Sequence, residues 1–175
     1  MQKPSNETSA TMRRRALAFA AVVVAWIAID RVTKLAMDVV PVGTTLARNV
    51  LGLFDFTLVH NTGGAWGVFG GSTVPLGIFS VIVCAALAVF LFAYLRNEAT
   101  WLETISVALI VAGGLGNAWD RFAYGYVVDF FNCTFIDFPV FNVADIGVTC
   151  GIALLVIALI VRPGTRDGGG RSEGE

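Results

Sequence analysis

Charge is scarce in this chain: 14% of its 175 residues are Asp, Glu, Lys or Arg, where a soluble domain carries about 25%. Histidine is scarcer still. With His60 the single one, a Ser-His-Asp triad would hang on one residue, and no His-rich metal set can be assembled. The three cysteines, Cys84, Cys133 and Cys150, show no CxxC spacing, so neither a disulfide framework nor a zinc site is supported. Two of them sit in long apolar runs, where a thiol serves as a small hydrophobe. Lys34 is the only lysine beyond the N-terminal tail, which leaves a Ser-Lys dyad one option. The net charge of −1 lacks the clustered basic surface of nucleic-acid partners.

What is abundant is apolar side chain, 56% of the residues, against about 45–50% in soluble domains. The chain therefore belongs to the membrane class. Arg13, Arg14 and Arg15 precede an apolar run from Ala16 to Ile29, the pattern of a signal peptide's charged and apolar regions. Bulky Trp26 and Ile27 lead straight into Asp30, so a retained first helix is expected instead. Further spans are predicted from about Val74 to Leu95, Trp101 to Trp119 and Val143 to Val161, each close to the ~20 residues that cross ~30 Å of hydrocarbon. Ser72 and Pro75 are placed to start the second. The fold class expected is an all-α membrane protein of four helices.

With both termini inside, eight basic residues face the cytoplasm (Lys3, Arg13, Arg14, Arg15, Arg96, Arg162, Arg166, Arg171) and four face out (Arg31, Lys34, Arg48, Arg121), as the positive-inside rule requires. The aspartates are biased the other way. Asp30, Asp38, Asp55, Asp120, Asp129, Asp137 and Asp145 all fall outside or at outer helix ends. Acidic residues do little to set topology, so a functional site on the outer face is one cause.

Between the first two helices, Phe54, Phe56 and Leu58 alternate with Asp55, Thr57 and Val59, a half-buried strand pattern; a small extracytoplasmic β element resting on the membrane surface is predicted there. The second outer loop, Phe122 to Phe141, is rich in aromatics and is expected to lie on the headgroups. Residues 1–12 form a polar N-terminal tail, 13–162 the membrane domain, and 163–175 a Gly-rich, charged tail expected to be disordered.

Candidate chemistry clusters at outer helix ends. Only 14 uncharged residues separate Arg15 from Asp30, about 21 Å of rise, so Asp30 sits near the outer hydrocarbon boundary with Lys34 at i+4 to pair with it. Asn117, Asp120 and Arg121 project from one face of the third helix, where Gly114 and Ala118 allow close packing. Asp129 stands among Val127, Val128, Phe130 and Phe131, a desolvating setting that raises a carboxyl pKa. Asn142 and Asp145 match a capping box at the start of the fourth helix. The plain readings are an ion pair, an interhelical hydrogen-bond cluster and a helix cap. The functional one is that Asp129 and Asp145 share a proton, one activating water while the other protonates a carbonyl oxygen. That chemistry needs neither metal nor covalent intermediate, and no cofactor is expected.

Four segments in order resemble the lipoprotein signal peptidase (signal peptidase II) family: Asp30-x3-Lys34; Asn61-Thr62-Gly63-Gly64-Ala65-Trp66-Gly67-Val68-Phe69; Gly113-Gly114-Leu115-Gly116-Asn117-Ala118-Trp119-Asp120-Arg121 with Asp129; and Phe141-Asn142-Val143-Ala144-Asp145. The likeness spans roughly Ala16 to Val161. It implies Asp129 and Asp145 as the catalytic pair, with Asp30, Lys34, Asn61, Gly63, Asn117, Asp120, Arg121 and Asn142 supporting or binding. It implies a bacterial inner-membrane endopeptidase that cuts a diacylglyceryl-modified prolipoprotein just before the lipidated cysteine, and inhibition by globomycin-type cyclic peptides. Membrane lipid is the surrounding partner, and a monomer is expected. Asn61 and the strand element are expected to clamp the peptide while Arg121 or Asn142 orients an aspartate. Arg31 and Gly63-Gly64 depart from the family's commoner residues. The rival reading is a small proton- or ion-coupled transporter, whose carboxylates would usually lie near the midplane between repeated halves; an inert scaffold would leave Asp129 unexplained.

Overall fold

Nothing between Ser5 and Met37 breaks a helix, since neither Gly nor Pro occurs there. In the computed structural model, which describes residues 5–64, 71–95 and 98–161, α1 accordingly runs the whole way, Ser5–Met37. The first helix thus takes up much of the expected N-terminal tail. α2 spans Thr73–Val89 and continues as a π-helical turn, Phe90–Tyr94; α3 spans Trp101–Ala123 and α4 Val143–Val161. All four are long and apolar enough to cross a membrane. The basic residues Lys3, Arg96, Arg162, Arg166 and Arg171, the motif residues Ala65 to Phe69 and the tail 163–175 lie outside the described residues.

The starts of α2 and α3 differ in their capping. Thr100 and Glu103 close a capping box on α3, Glu103 N donating to Thr100 Oγ1 at 3.1 Å and Thr100 N to Glu103 Oε2 at 2.6 Å, so two otherwise orphaned amides are satisfied. Ser72 stands at the N-cap of α2 as expected, but its side chain makes no capping bond. Arg15 turns into the bundle and donates to the Ala99 carbonyl.

α3 is the central helix. In its most apolar stretch 67% of residues are buried, against 6% in α1, 17% in α2 and 28% in α4, and it packs against all three. Glycines make this possible. A Cβ at Gly113 would lie 2.2 Å from the Ala144 carbonyl oxygen of α4, and one at Gly114 would meet Cys84 Sγ of α2 at 2.5 Å. Close approach through small residues is the main source of helix association in lipid.

The sheet has three antiparallel strands in the order β1 (Thr45–Val50), β2 (Phe54–Asn61), β3 (Val127–Cys133). β2 is the strand predicted from the alternating pattern. β3 corrects the expectation that the α3–α4 connection is a headgroup loop throughout and that the β element comes from the α1–α2 connection alone. Its register with β2 pairs Asn61 with Val127, Val59 with Asp129 and Phe54 with Cys133. Val127, Val128, Asp129 and Phe130 are all buried. A strand covered on both faces shows no alternation, so the segment read as an aromatic surface loop. Phe131 also stacks on Phe141 at 5.3 Å between centroids. On either side of β3, at Phe122 and Tyr124 before it and Phe135, Ile136 and Phe138 beyond it, the large apolar side chains stay exposed.

Because the α3–α4 seam has no room at Gly113, Gly113→Ala should cost about 1–3 kcal/mol or more by overpacking. Thermal unfolding in detergent checks this, with Leu17→Ala on an exposed position expected within about 0.5 kcal/mol of the parent.

Candidate active site

Polar side chains from segments distant in sequence meet where α1 and α3 end and α4 begins. Lys34, fully buried, places its Nζ 2.9 Å from Asp30 Oδ2, 2.8 Å from Asp120 Oδ2 and 2.9 Å from Asn117 Oδ1. The i,i+4 pair read from the sequence exists, yet it is half of a larger arrangement. Two buried carboxylates flank one ammonium, and Arg31 supplies the second cation, Nη1 to Asp120 Oδ1 at 2.5 Å. Buried charge persists only when paired in this way. Asp30 Oδ1 also accepts the Ala144 N–H at 3.0 Å, satisfying a first-turn amide of α4 that has no intrahelical partner. Gly116 leaves the space, since a Cβ there would lie 2.8 Å from Asp30 Oδ2.

Asn142 and Asp145 form the capping box anticipated at the start of α4: Asp145 N donates to Asn142 Oδ1 at 3.0 Å, and Asn142 N donates to Asp145 Oδ2 at 3.1 Å. The Asn142 Nδ2 then reaches Asp129 Oδ1 at 2.7 Å and Asn117 Oδ1 at 3.0 Å. One asparagine thereby touches both aspartates. Asn117 Nδ2 donates to Asp145 Oδ1 at 2.8 Å, and Asn61 Nδ2 to Asp129 Oδ2 at 3.0 Å. Gly63 N donates to Asn61 Oδ1 at 2.9 Å, fixing that amide's orientation.

Arg121 does not hydrogen-bond an aspartate. Its guanidinium donates to the Gly63 carbonyl at 3.1 Å and the Asn117 carbonyl at 3.3 Å, tying the segment after β2 to α3. The ten site residues picked from the sequence thus form one continuous polar network. Asn61, expected to help clamp a substrate peptide, directs its side-chain amide to Asp129. Sequence reasoning missed Arg31 as a partner of Asp120, the Val128 N–H that meets Asp120 Oδ2 at 3.4 Å, and Trp26, whose Nε1 donates to Val143 O at 3.1 Å. Only Arg31 left a signal, a cation beside Asp30. His60 stacks on Tyr126 at 3.7 Å and meets Asp38 at 2.7 Å. Among the described residues no group of three or more His, Cys, Asp or Glu is gathered to hold a metal.

Asp129 is 2% exposed. Desolvation, then the negative charge of Asp145, pushes its pKa up to about 7, against the opposing amides of Asn61 and Asn142 and the Lys34 charge. Both aspartates line a cavity of about 600 Å³ that also takes in Asn61, Asn117 and Arg121 and opens between apolar walls including Phe138 and Ile146. Two adjacent carboxyls, one holding a proton near neutral pH, can act as base and acid toward a molecule in that cavity.

A family model described as Signal peptidase (SPase) II matches residues 22–161. The chain belongs to the signal peptidase II family. It is 37% identical to the lipoprotein signal peptidase of Clostridium acetobutylicum over 151 residues, covering 84% of this chain and 96% of that one. With the lipoprotein signal peptidase of Synechocystis sp. it shares 40% identity over 141 residues, 78% and 84% of the two chains. A solved bacterial membrane enzyme structure, obtained by the in meso method at 2.3 Å resolution, superposes with a TM-score of 0.73 at 29% identity, covering 90% of this chain and 93% of that one. With its four apolar helices, this member of the signal peptidase II family is a multi-pass bacterial membrane protein.

The raised Asp129 pKa has a consequence for stability. The folded protein holds a proton that the unfolded chain releases near pH 3.8, so this contribution is full below about 3.8 and is lost as pH rises through about 7. Asp129→Asn should therefore be more stable than the parent at pH 8, by on the order of a few kcal/mol, and unfold at a higher temperature, with a smaller difference at pH 5. Thermal unfolding of both at the two pH values checks this.

Proposed function

We propose that the chain is an intramembrane aspartyl endopeptidase that removes the signal peptide from diacylglyceryl-modified prolipoproteins, cutting just before the lipidated cysteine. The observation that carries the reading is the sharing of Asn142 by Asp129 and Asp145 on the wall of one cavity. The names of the family and of its relatives supply the substrate class.

In the reaction the two carboxyls hold one proton between them. The ionised member takes a proton from water as the oxygen attacks the scissile carbonyl carbon, and the protonated member gives its proton to the carbonyl oxygen. The resulting tetrahedral diol collapses: the C–N bond breaks, a proton passes to the leaving nitrogen, and the dyad returns to its starting state. Asn117 and Asn142 hold the two carboxyls and Lys34 holds Asn117; Asp30 and Asp120 fix Lys34; Arg121, Gly63 and Asn61 brace the Asp129 side. A lipidated substrate stays in the bilayer, since each CH2 withdrawn from it costs ~0.8 kcal/mol. An apolar-walled cavity at the end of the bundle suits a peptide bond held near water beside such a chain.

In this reading the enzyme lies in the bacterial inner membrane with both termini in the cytoplasm, so that the sheet and cavity face the outer side. Residues 13–162 are the working unit, with 1–12 and 163–175 as cytoplasmic flanks. It acts as a monomer, and globomycin-type cyclic peptides compete for the cavity. The polar network gathers at one end of the helices rather than at mid-bundle, which speaks against a transporter.

Cleavage of a diacylglyceryl-modified prolipoprotein by the purified protein tests the reading. Asp129→Asn and Asp145→Asn should each lower the rate by about 10³-fold or more while remaining folded. Normal cutting by either variant contradicts it.

A further inference from the structure

Asp120 is fully buried, and three donors converge on it. Arg31 Nη1 lies 2.5 Å from Oδ1, while Lys34 Nζ at 2.8 Å and the Val128 N–H at 3.4 Å share Oδ2. Val128 precedes Asp129, so Asp120 holds the strand at the residue next to the dyad. Lys34 divides its single charge between Asp120, Asp30 and the Asn117 amide that donates to Asp145. Any extra demand that Asp120 makes on Lys34 is therefore felt at Asn117.

The groups facing this point come from every surrounding element. α1 brings Asp30, Arg31 and Lys34; α3 brings Asp120 and Arg121; β3 brings Asp129 and α4 brings Asp145. Tyr124, whose ring centroid lies 6.0 Å from the Arg31 guanidinium carbon, and Tyr126, stacked on Tyr124 at 6.0 Å, form the outer side; His60 and Asp38 lie beyond Tyr126. If Asp129 and Asp145 together carry one negative charge, Asp30, Asp120 and the dyad balance Arg31, Lys34 and Arg121. Arg31 is partly exposed, its side chain 19%, whereas Lys34 is buried. Without it the cluster carries an unbalanced negative charge, and Asp120 must draw wholly on Lys34.

We infer that Arg31 is a positioning residue of the peptidase site: by neutralising Asp120 it leaves Lys34 free to hold Asn117 against Asp145 and keeps Asp120 on the strand that carries Asp129. This rests on the dyad reading above. Arg31 touches neither the cavity nor the reacting atoms; it acts through Asp120 and Lys34. Its loss should act on the chemical step more than on substrate binding.

The test compares the pH dependence of prolipoprotein cleavage in the parent, Arg31→Gln and Arg31→Lys, beside Asp129→Asn and Asp145→Asn. Loss of a nearby cation disfavours ionised carboxylates. Arg31→Gln should therefore move the activity profile to higher pH by about half a unit, with kcat lowered about tenfold and KM within about twofold. Arg31→Lys should restore the position of the profile and most of kcat. The folded fraction of each variant is measured at every pH and its rate divided by that fraction, so partial misfolding of Arg31→Gln leaves the comparison intact. Superimposable parent and Arg31→Gln profiles overturn the proposal, as does a shift that Arg31→Lys fails to reverse. In either case dead Asp129→Asn and Asp145→Asn variants leave the dyad reading standing, whereas cleavage by one of them removes the dyad and this proposal with it.

Discussion

An ammonium can only donate, and that one-sidedness at Lys34 orders the rest of the site. Its charge is set between Asp30 and Asp120, and it donates to the Oδ1 of Asn117. With Asn117 Oδ1 taken by Lys34 and by the amide of Asn142, the Asn117 Nδ2 is the end left to face Asp145. Asn142 is fixed in the same way, its oxygen by the Asp145 amide and its nitrogen by Asp129. A single buried cation thus sets the amide orientations that hold two carboxylates side by side. Removing Lys34 would strand the buried Asp30 and leave Asp120 to Arg31 alone, a cost of several kcal/mol.

The bilayer explains why this chemistry is arranged as it is. Hydrocarbon offers no water to a polar group, so every donor and acceptor near the membrane must be satisfied within the protein. α3 meets that demand by being the buried helix, carrying small residues where it crosses α4 and α2 and polar ones at its last turns. β3 then brings Asp129 in from the side by pairing with β2. Burial raises the affinity of Asp129 for a proton on the wall of the open cavity.

Much of this could be read from residues alone because the signals were local. The four spans follow from composition, the Asp30–Lys34 pair from i,i+4 spacing, the Asn142–Asp145 box from its three-residue offset, and the desolvation of Asp129 from its apolar neighbours. Non-local relations were hidden. β3 has no alternation to mark it, and its partner strand lies some 70 residues earlier. Ser72 holds the expected place without the expected bond. Arg121 has the right position for an aspartate, yet it spends its donors on backbone carbonyls. Arg31 stood beside Asp30 in sequence while its charge is answered by Asp120 on another helix.

The central claim is that one proton is held by a pair of carboxyls of which the buried Asp129 is a member. Infrared titration of the protonated carboxyl band in the purified protein, from about pH 5 to pH 9, measures this directly. The account predicts a band that disappears with a midpoint near 7 and is missing from that range in Asp129→Asn. A band absent throughout in the parent, or one that persists unchanged in Asp129→Asn, would contradict it.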